Sequence, residues 1–240
     1  HSVASSRPAN DLILMWSGGK DAMLTLDVLH SQSPRRVGAL LTTVEEEGET
    51  VTMHGTPLSF IRRQAQALGI PLYVMRVPAG CSNAVYEERL EATLGPLLEE
   101  GYGPVAVGDL FLEDVKSYRE SILERMGATS LFPLWQRDTD WLAQRFLDRG
   151  YRALITSVDT TQLAAEFVGR SFDQAFLDAL PDTIDPCGEE GAFHTFVFDG
   201  PPFEEPASVE AGTSYGDGRM CFADLRGPKS DGSVNEEQKG

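Results

Sequence analysis

The feature that most constrains this chain lies near its start. Residues 11–16, Asp-Leu-Ile-Leu-Met-Trp, form a short apolar run that stops at Ser17-Gly18-Gly19. Residues 22–29 then carry apolar side chains at helical spacing. A buried strand, a glycine turn and a helix, in that order, commit the chain to an α/β layout. The turn also has a chemistry of its own. Two adjacent glycines let backbone N–H groups approach an anion closely, because no Cβ stands in the way. The helix N-terminus adds roughly half a positive charge at the same place. Ser17 supplies a hydroxyl, and Lys20 a point charge for phosphate oxygens. Asp21 would be repelled by phosphate, so its expected task is a metal ion or an orienting hydrogen bond. Lys20 is followed by Asp21, which excludes the G-x-x-x-x-G-K-[ST] phosphate loop, and no G-x-G-x-x-G dinucleotide turn is present here.

Downstream, expected strands at 37–43, 72–77 and 105–107 alternate with expected helices at 57–68, 83–100 and 116–126. Thr56 is the expected cap of the first of these helices, with Pro57 in its first turn. Such alternation predicts βαβ units and a parallel sheet covered on both faces. Ligands of open parallel sheets bind beyond the carboxyl ends of the strands, and the Ser17–Asp21 loop sits at such an end. After about residue 131 the texture changes. A helix at 139–148, a strand at 153–158, a helix at 171–180 capped by Ser171, a Gly/Pro-rich loop at 181–191, a strand at 195–198 and a late hairpin from 209–210 and 220–225 predict a smaller second lobe. The expected organisation is a disordered arm or tag remnant at 1–10, a nucleotide-binding domain at 11–130, a C-terminal lobe at 131–228 and a disordered tail at 229–240.

Charge bears on partners. The formal net charge of −17 argues against a nucleic acid, which needs a field that attracts phosphates, and no dense Lys/Arg cluster offsets it. Cys81, Cys187 and Cys221 are widely spaced and form no CxxC pair, so three reduced thiols in a reducing compartment are expected. No apolar run approaches the roughly 20 residues needed to span a bilayer. The first ten residues lack a basic segment followed by an apolar one. The cytoplasm is the expected location.

Ser17-Gly18-Gly19-Lys20-Asp21 resembles the SGGxD[ST] signature of the PP-loop ATP pyrophosphatase superfamily, with Ala22 where that superfamily has Ser or Thr. A second run, Asp185-Pro186-Cys187-Gly188-Glu189-Glu190-Gly191-Ala192-Phe193-His194-Thr195, resembles the C-terminal motif of the diphthine–ammonia ligase family, approximately CGE-x-GE-[FY]-x-T. Ala192 stands where that motif has its second Glu. His54, residues 64–72, residues 108–113 and Gly169-Arg170 agree with the family as well.

The resemblance implies a Rossmann-like parallel sheet of the adenine nucleotide alpha hydrolase type with a smaller C-terminal α/β lobe. It implies ATP and Mg²⁺, cleavage of ATP to AMP and pyrophosphate, and a carboxylate that is adenylated and then amidated by ammonia. The carboxylate would belong to a modified elongation-factor side chain or to a small metabolite. The nucleotide-binding set it implies is Ser17, Gly18, Gly19, Lys20, Asp21, Thr42, Thr43, His54 and Gly108, with Asp21 toward Mg²⁺. Asp109, Glu189, His194 and Thr195 fall to the acceptor substrate. Lys20, Asp21 and His194 would be catalytic, with His194 as a proton carrier near neutral pH. Cys187 reads as a packed thiol beside a turn, and Lys116 and Arg119 as a solvated helix face. Ala22 and Ala192 keep two other readings open: a ligase for an unknown small metabolite, and a nucleotide-binding sensor without catalysis.

Overall fold

The computed structural model describes residues 10–216 and 218–227. The expected arm, apart from Asn10, and the tail from residue 228 lie outside the described residues.

Five parallel strands build the first sheet: β1 (Leu12–Met15), β2 (Val37–Glu45), β3 (Leu72–Val77), β4 (Val105–Ala106) and β5 (Ser130–Leu131), in the order β3-β2-β1-β4-β5. Leu14 of the central strand pairs with Leu40 on one side and Ala106 on the other. The strand order turns back at β1, so the carboxyl ends of β1 and β4 flank a topological switch point, the usual place for a ligand in such a sheet. Helices α1 (Lys20–Gln32) and α2 (Leu58–Ala67) cover one face; α3 (Asn83–Glu100) and α4 (Glu113–Arg125) cover the other. On the α3/α4 face, Ile13, Leu41, Leu90, Leu94 and Ile122 share one apolar cluster.

The C-terminal lobe comprises α5 (Thr139–Asp148), β6 (Arg152–Asp159), α6 (Gln174–Ala179), β7 (Phe193–Asp199), β8 (Glu210–Gly216) and β9 (Met220–Arg226). Its four strands form an antiparallel sheet in the order β7-β6-β9-β8. The lobe does not keep a separate core. Leu14, Leu24 and Ile61 from the first sheet and its helices belong to the same buried cluster as Phe146, Ile155, Phe193 and Phe196. Phe60 of α2 stands edge-on to Phe196 of β7, ring centroids 5.9 Å apart. The buried carboxylate of Asp27 on α1 accepts hydrogen bonds from Arg145 (2.8 Å), Arg149 (3.0 and 2.8 Å) and Tyr151 (3.2 Å), tying α1 to α5 and to the start of β6. Apolar burial and the Asp27 cluster thus hold the C-terminal lobe against α1 and α2.

Three local expectations change. Pro57, not Thr56, occupies the N-cap position of α2, where no side chain caps the helix. Asp173 rather than Ser171 caps α6, accepting from the Phe176 amide at 2.8 Å, and the helix is only six residues long. Strand β5 was not expected: two residues carry no readable period, and its place is set by pairing with β4. No helix among the described residues is long and apolar enough to cross a membrane.

Candidate functional site

The Ser17–Asp21 loop leaves β1 under tight constraint. Gly18 adopts φ +80°, and a Cβ there would lie 2.5 Å from Ile61 Cδ1, so both conformation and space call for glycine. Its carbonyl accepts from the Val197 amide at 2.9 Å and from Gln64 Nε2 at 2.9 Å. Gln64, fully buried on α2, also donates to the Val197 carbonyl (2.6 Å) and accepts from Trp16 Nε1 (2.7 Å). One side chain therefore clamps the loop, β1 and β7 together.

Gly19 stands at the N-cap of α1 with no side chain to cap the helix. The cap comes from the other lobe instead: Thr195 Oγ1 on β7 accepts from the Lys20 amide at 2.9 Å. The Met23 amide closes the first intrahelical bond, to the Gly19 carbonyl. The amides of Asp21 and Ala22 remain in the first turn, where a helix offers no acceptor of its own.

The second motif folds around Asp185. Its carboxylate accepts from the Cys187 amide (2.7 Å), from Thr139 Oγ1 (2.6 Å) and, at 3.4 Å, from the Glu189 amide. Gly188 turns the chain at φ +71°, where a Cβ would meet the Phe193 carbonyl at 2.7 Å. This turn delivers the Cys187 carbonyl to Lys20 Nζ, which donates to it. The same amine pairs with both Asp21 oxygens, at 3.0 and 2.9 Å, and lies 5.6 Å from the centroid of the Phe193 ring. Lys20 is only 3% exposed. Burial is the largest single influence and works against its charge, yet the attractions of Asp21, Cys187 and Glu189 together outweigh it and the pKa is raised. Cys187 is buried, its Sγ against the Thr139 carbonyl, and burial pushes the thiol far above its ordinary pKa, as a packed thiol requires.

These elements surround a cavity of about 730 Å³ above the carboxyl ends of the strands. Most of the residues read from the sequence meet there: Ser17, Gly19, Lys20, Asp21, Thr43, His54, Gly108, Asp109, Glu189, His194 and Thr195 all line it. Gly18 and Thr42 do not. Gly18 lies beneath the loop against Ile61 and Gln64. Thr42 is fully buried, because side chains alternate along β2 and its neighbours Leu41 and Thr43 take the cavity side. Gly108 is held close to α1, where a Cβ would lie 3.0 Å from Thr25 Oγ1 and 3.3 Å from the Asp21 carbonyl.

The cavity's titrating groups differ from the sequence expectation. The rings of His54 and His194 lie 4.3 Å apart at 37°. Burial, followed by Lys20, lowers His194 to about 4. Burial, then His194 and Lys20, take His54 well below its ordinary value. His194 is therefore uncharged at neutral pH and does not titrate there. Glu189 does: burial first, then the Asp21 charge, raise it to about 7. His54 Nδ1 is buried without a hydrogen-bond partner among the described residues. Asp109 pairs with Arg119 at 2.9 Å, so Arg119 serves the cavity wall instead of a solvated face. Burial raises the Asp109 carboxyl. Lys116 pairs with Glu120 at 2.6 Å and lies over the Phe132 and Trp135 rings, at 5.1 and 5.3 Å from their centroids, so it too is not simply a solvated group. Among the described residues no group of three or more His, Cys, Asp or Glu is placed to hold a metal by itself.

Sequence reasoning gave Gln64 no role of its own. The available signal was a polar residue three positions after Ile61 on the apolar face of α2. Ala192, at the position of the motif's second Glu, is 1% exposed within the shared core and is not part of the cavity wall.

Residues 10–130 match the family described as diphthamide synthase N-terminal domain, and residues 138–228 the one described as diphthamide synthase C-terminal domain. Curated relatives carry the name diphthine–ammonia ligase. The human protein is 24% identical over 162 residues, 61% of this chain and 61% of the relative. The Danio rerio protein is 24% identical over 164 residues, 61% of this chain and 64% of the relative. The Schizosaccharomyces pombe protein is 24% identical over 128 residues, 51% of this chain and 21% of the relative. The match thus spans less than two thirds of the length of each of these relatives. A solved structure titled "predicted subunit of tRNA methyltransferase" from Methanocaldococcus jannaschii shares 18% identity and a TM-score of 0.40, covering 62% of this chain and 78% of that chain. The first motif lies inside the matched N-terminal domain, the second inside the matched C-terminal domain, and both line one cavity, so the chain belongs to the diphthamide synthase family.

Proposed function

We propose that this protein is an ATP-dependent, AMP-forming carbon–nitrogen ligase that adenylates a carboxylate and transfers the acyl group to ammonia. The observation carrying this reading is the meeting of the two motifs at Lys20. Its amide donates to Thr195 and its amine to the Cys187 carbonyl, across 175 and 167 residues of sequence. A phosphate-binding helix end and an acidic, partly buried pocket are thereby joined in one cavity.

In this reading the triphosphate lies at the N-terminus of α1, where the amides of Asp21 and Ala22 and the positive helix end receive it. Lys20 adds positive charge and holds the two motifs in register. Asp21, about a third exposed, suits the one carboxylate that a Mg²⁺–triphosphate takes from a protein, the remaining ligands being phosphate oxygens and water. The acceptor carboxylate attacks the α-phosphorus; the bond to the bridging oxygen breaks and pyrophosphate leaves. Ammonia then attacks the acyl carbon and AMP departs. The proton lost by the nitrogen goes to Glu189, whose raised pKa near 7 makes it the cavity group suited to accept it. His54 and His194, uncharged, offer hydrogen bonds without adding charge beside Lys20. The acceptor we favour is diphthine, after the names of the relatives, and the location the cytoplasm, in keeping with three free cysteines.

One observation favours a second reading. Ala22 brings no hydroxyl to the cavity and Ala192 no carboxylate, as in a nucleotide sensor that does not turn ATP over. Incubation with ATP, Mg²⁺, ammonium and a diphthine-bearing protein, with products separated by chromatography, decides. AMP and pyrophosphate are expected, and Lys20→Met should suppress both. ADP and phosphate would sink the ligase reading; tight ATP binding without turnover would favour the sensor.

A further inference from the structure

We infer that Thr195 is a phosphate-positioning residue: its hydroxyl reaches from β7 to the N-terminus of α1 and donates to the polyphosphate of ATP and to the pyrophosphate product. This rests on the ATP reading above and moves Thr195 from the acceptor side of the cavity to the nucleotide side.

The geometry follows from the valence of a hydroxyl, which has two lone pairs and one proton to give. Thr195 Oγ1 spends one lone pair on the Lys20 amide, at 2.9 Å. That amide is a donor, so the hydroxyl proton must point elsewhere. Among the described residues no hydrogen bond from this hydroxyl is made. Thr195 is 2% exposed and lines the cavity, so its unused donor is not simply dissolved in bulk water. At the same helix end the amides of Asp21 and Ala22 also lack an intrahelical acceptor.

Two amides and one buried hydroxyl, all with protons to give, therefore cluster at the positive end of α1. An oxygen-rich anion is the complementary ligand. Ala22 contributes only a methyl to this wall, and a hydroxyl from the other lobe supplies the donor that the helix itself does not carry. The approach is close: a Cβ on Gly19 would stand 3.0 Å from the Thr195 carbonyl. Without a side chain at Gly19, β7 can present its hydroxyl against the loop.

The test uses the whole chain and calorimetric titration with ATP, pyrophosphate and adenosine. Thr195→Val keeps the shape and removes the hydroxyl. It should weaken ATP and pyrophosphate by about 10-fold or more, the scale of one hydrogen bond to a charged group, and leave adenosine unchanged. Thr195→Ser keeps the donor and should bind all three within about twofold of the parent, as expected when the same hydrogen bond is retained. Should Thr195→Val not fold, Thr195→Cys carries the same test, because a thiol still weakly accepts from the Lys20 amide but is a poor donor. Unaltered ATP and pyrophosphate affinity in the valine or cysteine variant overturns the assignment, as does an equal loss for adenosine, which would mark a packing role. If the unsubstituted chain binds neither ATP nor pyrophosphate, the ATP reading falls and this assignment with it.

Discussion

The imidazole of His54, on the loop before α2, lies 4.3 Å from that of His194 on β7, and burial holds both below their ordinary pKa. A histidine buried neutral refuses a proton that the unfolded chain accepts. Between pH 6.5 and about 4 the unfolded state thus binds more protons than the folded one, and stability falls as pH is lowered through that window. Glu189, raised to about 7, acts in the opposite sense. Its contribution is complete below the ordinary carboxylate range and is lost as pH rises through about 7. Glu189→Gln should remove the larger part of that opposition in this pH window, since Asp109, also raised by burial, starts from a lower carboxylate value. The variant's melting temperature should then fall more steeply than the parent's between pH 6.5 and 4.5. Equal slopes in scanning calorimetry would count against this account of the pair.

Gln64 satisfies three groups at once: the Trp16 indole N–H and the carbonyls of Gly18 and Val197. Gln64→Leu fills the volume but strands buried polar atoms. A loss of about 2–4 kcal/mol is expected from urea unfolding. ATP affinity should fall as well, since the loop loses its clamp to β7.

Gly18 combines a left-handed φ of +80° with a Cβ direction that runs into Ile61. Gly18→Ala should destabilise by about 2–4 kcal/mol, part strain and part overpacking. Chemical denaturation of the variant against the parent measures it. A change below about 0.5 kcal/mol, the range of ordinary surface substitutions, would mean that the loop has another accessible shape.

Asp27 lies on α1 away from the cavity wall and pairs with Arg145 and Arg149, which are partly exposed. Asp27→Asn weakens those pairs without changing shape. A cost of about 1–2 kcal/mol is expected, below that of a fully buried pair. ATP affinity should not move, which separates lobe docking from ligand binding.

Legibility in the sequence tracked the range of the interactions. The helix expected at 83–100 is Asn83–Glu100, and the strand expected at 72–77 is Leu72–Val77, because long apolar periods report on local geometry. The cap at Thr56 failed because α2 starts one residue later, at Leu58 behind Pro57, with no side-chain cap; the cap at Ser171 failed because Asp173, two residues on, takes the Phe176 amide. The Ser17–Asp21 loop and its place at the start of α1 were readable from Gly18, Gly19 and the helix that follows. The Thr195 cap and the Gln64 clamp were not, for their partners lie 175 and up to 133 residues away in sequence. His194 looked like a neutral-pH proton carrier by residue type; burial beside Lys20 removed that role and left Glu189 as the group near 7.

By itself, the sequence determined the strand–glycine–helix unit, the parallel sheet and the two motifs, since each depends on residues close along the chain. Only the tertiary structure decided that both motifs share one cavity, which hydroxyl caps α1 and which carboxyl titrates near neutral pH. Those outcomes depend on burial and on contacts between distant segments, and neither quantity is a property of a residue's neighbours in sequence.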